Sequence, residues 1–362
     1  MRHARPIILP ATVFVVVMMA VLPGCRKDPV VYAGEEAGWP TPADLDLPPG
    51  VLALLGMPDM PLDNPLTVEG IALGRRLFYE KALSDTQTMS CASCHRQGNA
   101  FSDPRAFSVG TDGRVGTRNS MTLANLAWGD RMFWDGRVHG LEAQAHDPVV
   151  DPLEMNNSWP VVEQRLNADA EYRQLFRQAF GTTEIDSTLV THALAQFIRT
   201  MTSFDSPFDR YWFGGDTTAM SEEALNGLAL FTSQGKCAGC HTLGLFTDNA
   251  FRNNGLDLVV TDPGLGAVTG DPGDLGRFKV PTLRNIAVTA PYMHDSRFAT
   301  LEEVLGHYNG GVHMASPTVD PLMDFWGMNP APFSPNEIID LMAFLHSLTD
   351  ETFLLDPRFA EP

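Results

Sequence analysis

Two five-residue segments constrain this chain more than anything else in it: CASCH at residues 91 to 95 and CAGCH at residues 237 to 241. Cys-x-x-Cys-His is the attachment signature of c-type haem, in which two thiols add to the porphyrin vinyl groups and the adjacent imidazole reaches the iron. The chain has five cysteines. Cys25 lies at the end of a leader, which leaves Cys91, Cys94, Cys237 and Cys240 and no pair for a structural disulfide. Redox disulfides or a four-cysteine zinc site are the competing readings of two CxxC pairs. A histidine directly after each pair, His95 and His241, favours covalent haem at both.

The surroundings of the two copies are alike. VEGIALGRRLFYEKALS precedes the first, with Ile71, Leu73, Leu77 and Phe78 at helical spacing. SEEALNGLALFTSQGK precedes the second, with Leu225, Leu228, Leu230 and Phe231. Each half also ends in an apolar helix, STLVTHALAQFIRTMTSF and then SPNEIIDLMAFLHSL, the latter opened by Ser334, Pro335 and Glu337 as a capping box. With 31 Gly and 27 Pro, long ordered loops must join short helices. The expected fold is mainly α: two tandem cytochrome c-like domains, 66–215 and 216–350, each with one covalent c-type haem, followed by a tail at 351–362.

The first 24 residues read as an export signal: basic MRHARP, an apolar run, then LPGC. The run is short of the roughly 20 residues that a spanning helix needs. LPGC also fits a bacterial lipobox, which would make Cys25 the lipidated first residue; the alternative is an ordinary cleaved signal with Cys25 a bystander. Residues 25–65, rich in Pro, Gly and acid, then read as a tether to an envelope membrane, and the body as periplasmic. A net charge of −19 disfavours nucleic acid and suits either a basic protein partner or plain solubility.

What each haem can do depends on its second axial ligand. An iron with two protein ligands transfers electrons, whereas an open position accepts peroxide or oxygen. After His95 the chain runs through FSDPRAFSVGTDGRVGTRNS with neither His nor Met before Met121, so an open site is expected, with Met132, His139 and His146 as more distant candidates. After His241 the candidates are Met293, His294, His307, Tyr308, His313 and Met314, among which spacing alone does not choose.

The ordered segments GRRLFYEKALS, CASCH, GTRNSMTLANLAW, FWDGR, LEAQA, DPLEM, CAGCH, FKVPTLRN, PYMHDSRFATLEEV and HYN resemble those of the bacterial di-haem cytochrome c peroxidase family, in its MauG-like branch. The resemblance covers residues 66 to 350. It implies that Trp134 of FWDGR relays charge between the haems, that Gln144 and Glu154 form the distal pair of the peroxide pocket, and that Pro148 stands on the same wall. It also implies Ca²⁺ between the domains, held by Asn119 and the carbonyls of Thr289 and Pro291, and it selects Tyr308 as the remaining ligand of the second haem. His294 would fix a propionate or a loop by hydrogen bonding, or be a packed structural histidine, and Arg75 and Arg76 would pair with propionates or stay solvated.

Two departures from ordinary members matter. Their loop SVGxHG carries a His that blocks the peroxide haem; here it reads SVGTDG, with Asp112 in that place. They place Met where this chain has Tyr308, and a phenolate favours ferric and higher states, lowering the potential. The implied chemistry is peroxide activation with Glu154 as general acid–base and Gln144 orienting peroxide or water. The oxidising equivalents would go to a Trp or Tyr on a partner protein, or be quenched by electrons from a small cytochrome or cupredoxin. A non-enzymatic electron-transfer subunit is a third reading and requires two six-coordinate irons.

Overall fold

The computed structural model describes residues 40–233, 236–325 and 333–362. The leader and Cys25 lie outside them. Among the described residues no helix is long and apolar enough to cross a membrane.

Each predicted helix starts where a side chain satisfies free backbone N–H groups, as helix ends require. After α1 (Pro49–Leu55), the Thr67 hydroxyl accepts from Gly70 N at the head of α2 (Val68–Tyr79). The first half continues with α3 (Leu141–Val150), α4 (Trp159–Ala168), α5 (Ala170–Phe180) and α6 (Ser187–Arg199), the last capped by Asp186. The second half holds α7 (Pro207–Trp212), α8 (Glu222–Thr232), α9 (Gly266–Thr269), α10 (Leu301–Gly306) and α11 (Pro335–His346), and α12 (Glu351–Leu355) follows. The box expected at Ser334 forms: its hydroxyl caps Glu337 N while the Glu337 carboxylate accepts from Ser334 N. Two antiparallel pairs of two-residue strands complete the frame, β1 (Arg131–Met132) with β2 (Val138–His139), and β3 (Phe251–Arg252) with β4 (Phe278–Lys279).

In each half the helix before the haem motif packs on the half's last apolar helix. The two contacts are built alike. A Cβ at Gly74 would collide with the Ala193 carbonyl, so α2 lies directly against α6; a Cβ at Gly227 would collide with the Asp340 carbonyl, so α8 does the same on α11. Around the first pair Leu73, Leu77, Phe78, Val190, Leu194 and Phe197 form one core; around the second, Leu228, Phe231, Phe246, Leu341, Phe344 and Leu345 form another. Burial of each such side chain contributes about 1.5–3 kcal/mol.

Three expected boundaries change, the first at α7, whose Phe208 packs in the second core although residues up to 215 are expected in the first domain. Residues 40–65, expected as part of a tether, pack on the body: Val51 is fully buried, Ala43 N donates to Leu66 O, and Asn64 Nδ2 donates to Glu142 at 2.6 Å. Residues 351–362, expected as a tail, carry Phe353 and Phe359 into the first core, where both rings pack on Phe101. That closure uses Arg75, whose guanidinium donates to the carbonyls of Ala360 and Pro357, while Arg76 pairs with Glu171. Both arginines are therefore committed elsewhere, and neither lines the haem-motif cavities.

Candidate functional site

The two CxxCH segments line separate cavities, so the four thiols do not converge on a single metal site. In each, the motif is a tight turn followed by a loop that folds back to hold the imidazole. His95 Nδ1 donates to Phe101 O at 2.7 Å and His241 Nδ1 donates to Phe246 O at 3.0 Å. Both phenylalanines sit at positive φ, 58° and 54°. That conformation is costly for an aromatic residue and turns its carbonyl toward the ring. With Nδ1 occupied, Nε2 is the free lone pair, and burial holds both rings neutral by pushing their pKa down. Burial also pushes the thiols of Cys91 and Cys237 up to about 12, so each stays an uncharged sulfur. Neutral imidazole, uncharged sulfurs and apolar walls are what a thioether-linked haem requires.

The first cavity, about 270 Å³, is lined by Cys91, Cys94, His95, Trp134, Gln144, Pro148 and Glu154. Gln144 and Pro148 stand one helical turn apart on α3 and share a face. Glu154 follows on the next turn, with Glu154 N donating to Asp151 O and Thr111 N donating to Glu154 O. Burial, reinforced by Asp151 and Asp147 against the opposing pull of Arg137, raises the Glu154 carboxyl to about 7. A carboxyl that titrates near neutrality can both take and return a proton. The SVGTDG loop packs on this turn through Gly110, where a Cβ would meet the Leu153 carbonyl. Asp112 itself points away, paired with Arg114 at the surface and absent from the lining. Among the more distant candidates, His139 pairs with Asp130 in solvent and His146 stacks on Trp159, while Met132 is buried in the cavity wall.

The second cavity, about 190 Å³, is lined by Cys237, Cys240, His241, Met293, His294 and Tyr308. Of the six ligand candidates, His307, His313 and Met314 do not reach it. His307 is instead buried against the Asn254 backbone, with Nε2 donating to its carbonyl at 3.2 Å. Tyr308 lies on the wide helical turn His307–Gly311 that continues α10, its hydroxyl buried and pushed up to about 12 chiefly by that burial. His294 stacks on Phe278 with ring centroids 3.7 Å apart. Its loop is tied by its backbone, since Asn119 N donates to His294 O at 2.7 Å.

Trp134 lines both cavities and also a smaller one of about 90 Å³ between them. Its indole N–H donates to Asn119 O at 2.8 Å, and its own carbonyl accepts from Lys279 N at 2.8 Å. The small cavity also brings together Asn119, Thr289 and Pro291. The Asn119 amide nitrogen there is buried without a hydrogen-bond partner.

Reading along the chain did not reveal the internal repeat that organises these positions. Thr122, Leu123 and Asn125 recur as Thr282, Leu283 and Asn285; Asp135 and Arg137 as Asp295 and Arg297; Leu141 and Glu142 as Leu301 and Glu302, all at one spacing. The backbone repeats with them. Asn125 and Asn285 have φ 59° and 60°, Phe133 and Met293 have 65° and 72°, and α3 and α10 begin at the equivalent Leu141 and Leu301. In this register Trp134 corresponds to His294, and Pro148 corresponds to Tyr308. The signal that would have exposed it is TLxN followed by DxR and LE.

A family model described as di-haem cytochrome c peroxidase matches residues 68–218. The chain is 42% identical over 295 residues to the methylamine utilization protein MauG of Methylorubrum extorquens, covering 80% of this chain and 81% of that one. It is 34% identical over 333 residues to cytochrome-c peroxidase IdrP1 of Denitromonas iodatirespirans, covering 83% and 87%. The crystal structure of a MauG-like protein associated with microbial copper homeostasis superposes with a TM-score of 0.81 at 35% identity, covering 88% of this chain and 99% of the other. Paired haem-motif cavities bridged by a tryptophan, on a chain with these relatives, leave one assignment: the chain belongs to the di-haem cytochrome c peroxidase family.

Proposed function

We propose that the protein is a MauG-like member of this family: it takes H₂O₂ into the His95 cavity and delivers the oxidising equivalents to a Trp or Tyr on a partner protein. The observation that carries this reading is the pairing of Pro148 with Tyr308 at one repeat position. The first cavity is lined there by a residue that offers no donor atom, the second by a phenol. When bound, two c-type haems supply the iron at which peroxide reacts and a second iron that shares the two oxidising equivalents. His95 and His241 would hold them from one side, and Cys91, Cys94, Cys237 and Cys240 would anchor them. Tyr308 would close the second.

The remaining steps belong to side chains. Glu154 accepts the proton from one peroxide oxygen and returns it to the other, a transfer its carboxyl near pH 7 is suited to. Gln144, one turn before Pro148, donates to the peroxide or to water and orients it. Trp134, against both cavities, provides the path between them. Ca²⁺ held by Asn119 and the carbonyls of Thr289 and Pro291 would brace Trp134 through its hydrogen bond to Asn119. The leader and a lipidated Cys25 would keep the protein in the periplasm.

The test is H₂O₂ added to the oxidised protein without donor, followed by optical and EPR spectroscopy. One high-spin and one low-spin haem at rest, then two equivalents held for minutes, supports the proposal. Two low-spin haems at rest would leave only electron transfer. Fast decay with self-oxidation, and steady turnover on a small cytochrome or cupredoxin, would identify a donor-fed cytochrome c peroxidase instead.

A further inference from the structure

Tyr308 does not stand alone in the second cavity. Asn254 lines the same cavity, and its Nδ2 lies 3.2 Å from Tyr308 Oη and 3.7 Å from Met293 Sδ. One amide group thus presents its two N–H bonds to two of the three ligand candidates that line the cavity.

The amide is held in place from several directions. His307 Nε2 donates to the Asn254 carbonyl, so the residue next to Tyr308 fixes the backbone of the residue that bonds Tyr308. On one side, Asn253 Oδ1 accepts from Gly255 N at 2.9 Å, and Asn253 Nδ2 donates to Ser316 Oγ at 3.0 Å. Asp320 N donates to Asn253 O and His313 N donates to Gly255 O, both at 2.8 Å. Gly255 itself has φ +67°, and a Cβ there would press on Val312. A side chain mounted on a backbone this constrained loses little freedom when it forms its bond, and its donor is preorganised rather than recruited.

We infer that Asn254 is a positioning residue for the second haem: its amide donates to the Tyr308 oxygen, holds that oxygen toward the iron and weakens it as an electron donor. A hydrogen bond to a ligating oxygen draws off charge the metal would otherwise receive, as outer partners of metal ligands do elsewhere. Its second N–H occupies the Met293 sulfur and disfavours thioether ligation. The inference rests on the proposed role of Tyr308 and adds to it a residue with a distinct spectroscopic signature.

The experiment is resonance Raman spectroscopy and potentiometry on the haem-loaded full-length protein, its Asn254→Leu variant, and the smaller Asn254→Val, neither of which offers a donor. In the wild type the iron–phenolate stretch should shift on exchange into D₂O, because the donor carries an exchangeable proton. In both variants the stretch should rise, lose its D₂O sensitivity, and be accompanied by a lower potential at the second haem, with both haems retained by haemochrome assay. A stretch and potential unchanged in both variants would overturn the inference while leaving Tyr308 as ligand. Absence of any iron–phenolate stretch in the wild type would instead remove the Tyr308 reading beneath it.

Discussion

Replacing Glu154 by glutamine tests catalysis and stability with opposite signs. The carboxyl is displaced from 4.5 to about 7 mainly by burial. At about 1.4 kcal/mol per pH unit, keeping it ionised in the fold costs about 3 kcal/mol. Below pH 4.5 folded and unfolded chains are both protonated and the cost is absent. Between 4.5 and 7 the unfolded chain releases the proton while the folded one keeps it, so stability falls; above 7 the full cost is present. Glu154→Gln removes a charge of nearly equal volume, so it should leave stability at pH 4 unchanged and raise it at pH 8 by about 3 kcal/mol at most. On the proposed reading the same change removes the proton acceptor, and the rate of reaction with H₂O₂ should fall by about 10²–10⁴. In stopped-flow measurements the wild-type rate should climb with pH through about 7 and the variant's should be flat. A rate loss below about tenfold, or a variant whose stability gain does not depend on pH, would refute the reasoning.

Tyr308→His should raise the reduction potential of the second haem and abolish any iron–phenolate band, read by potentiometry and absorption. Gly110→Ala forces a methyl into the Leu153 carbonyl and pushes the turn that carries Glu154. Peroxide reactivity should drop by about 10² while both haems remain bound, because small displacements near reacting atoms are costly. Arg284 is wholly buried and forms two hydrogen bonds to Asp209 at 2.8 and 2.9 Å. Asp209→Asn leaves a buried cation uncompensated and should destabilise by about 3–5 kcal/mol, lowering the thermal midpoint by on the order of 10 °C.

How much of this was legible in the sequence depended on whether a signal was local. The haem motifs and caps are local, and the helices began within a residue or two of the expected positions, as at Ser334 and Asp186. The segments at 40–65 and 351–362 were read from composition and position, and composition does not record that Val51, Phe353 and Phe359 have pockets to fill. Arg75 and Arg76 adjoin a haem motif in sequence, yet the C-terminal carbonyls and Glu171 compete for them, and those partners lie far along the chain. Asn254 gave no sign at all. It stands in FRNNGLD, where a pair of asparagines before glycine reads as a turn, and only the folded loop shows which amide reaches Tyr308.

The internal repeat explains how one plan yields two unlike cavities. Both halves fold the same way around their haem motif: a glycine-mediated helix contact, a histidine held by a phenylalanine carbonyl, an asparagine at positive φ, then a short helix opened by leucine and glutamate. Counted from that leucine, the eighth residue of each segment reaches the wall of its own cavity. In the first half that residue is Pro148, whose ring has no donor atom and whose missing N–H cannot hold the preceding helical turn. In the second it is Tyr308, supported by Asn254. Three positions earlier on the helix the contrast is reinforced, since residue 145 is Ala and residue 305 is Leu. On the proposed reading, space beside Pro148 is where a small oxidant enters, and the phenol at the equivalent position is what denies it entry to the other half. Open and closed sites then follow from a single repeat position rather than from two separately designed domains, and a Pro148→Tyr exchange is the substitution that would make the first cavity resemble the second.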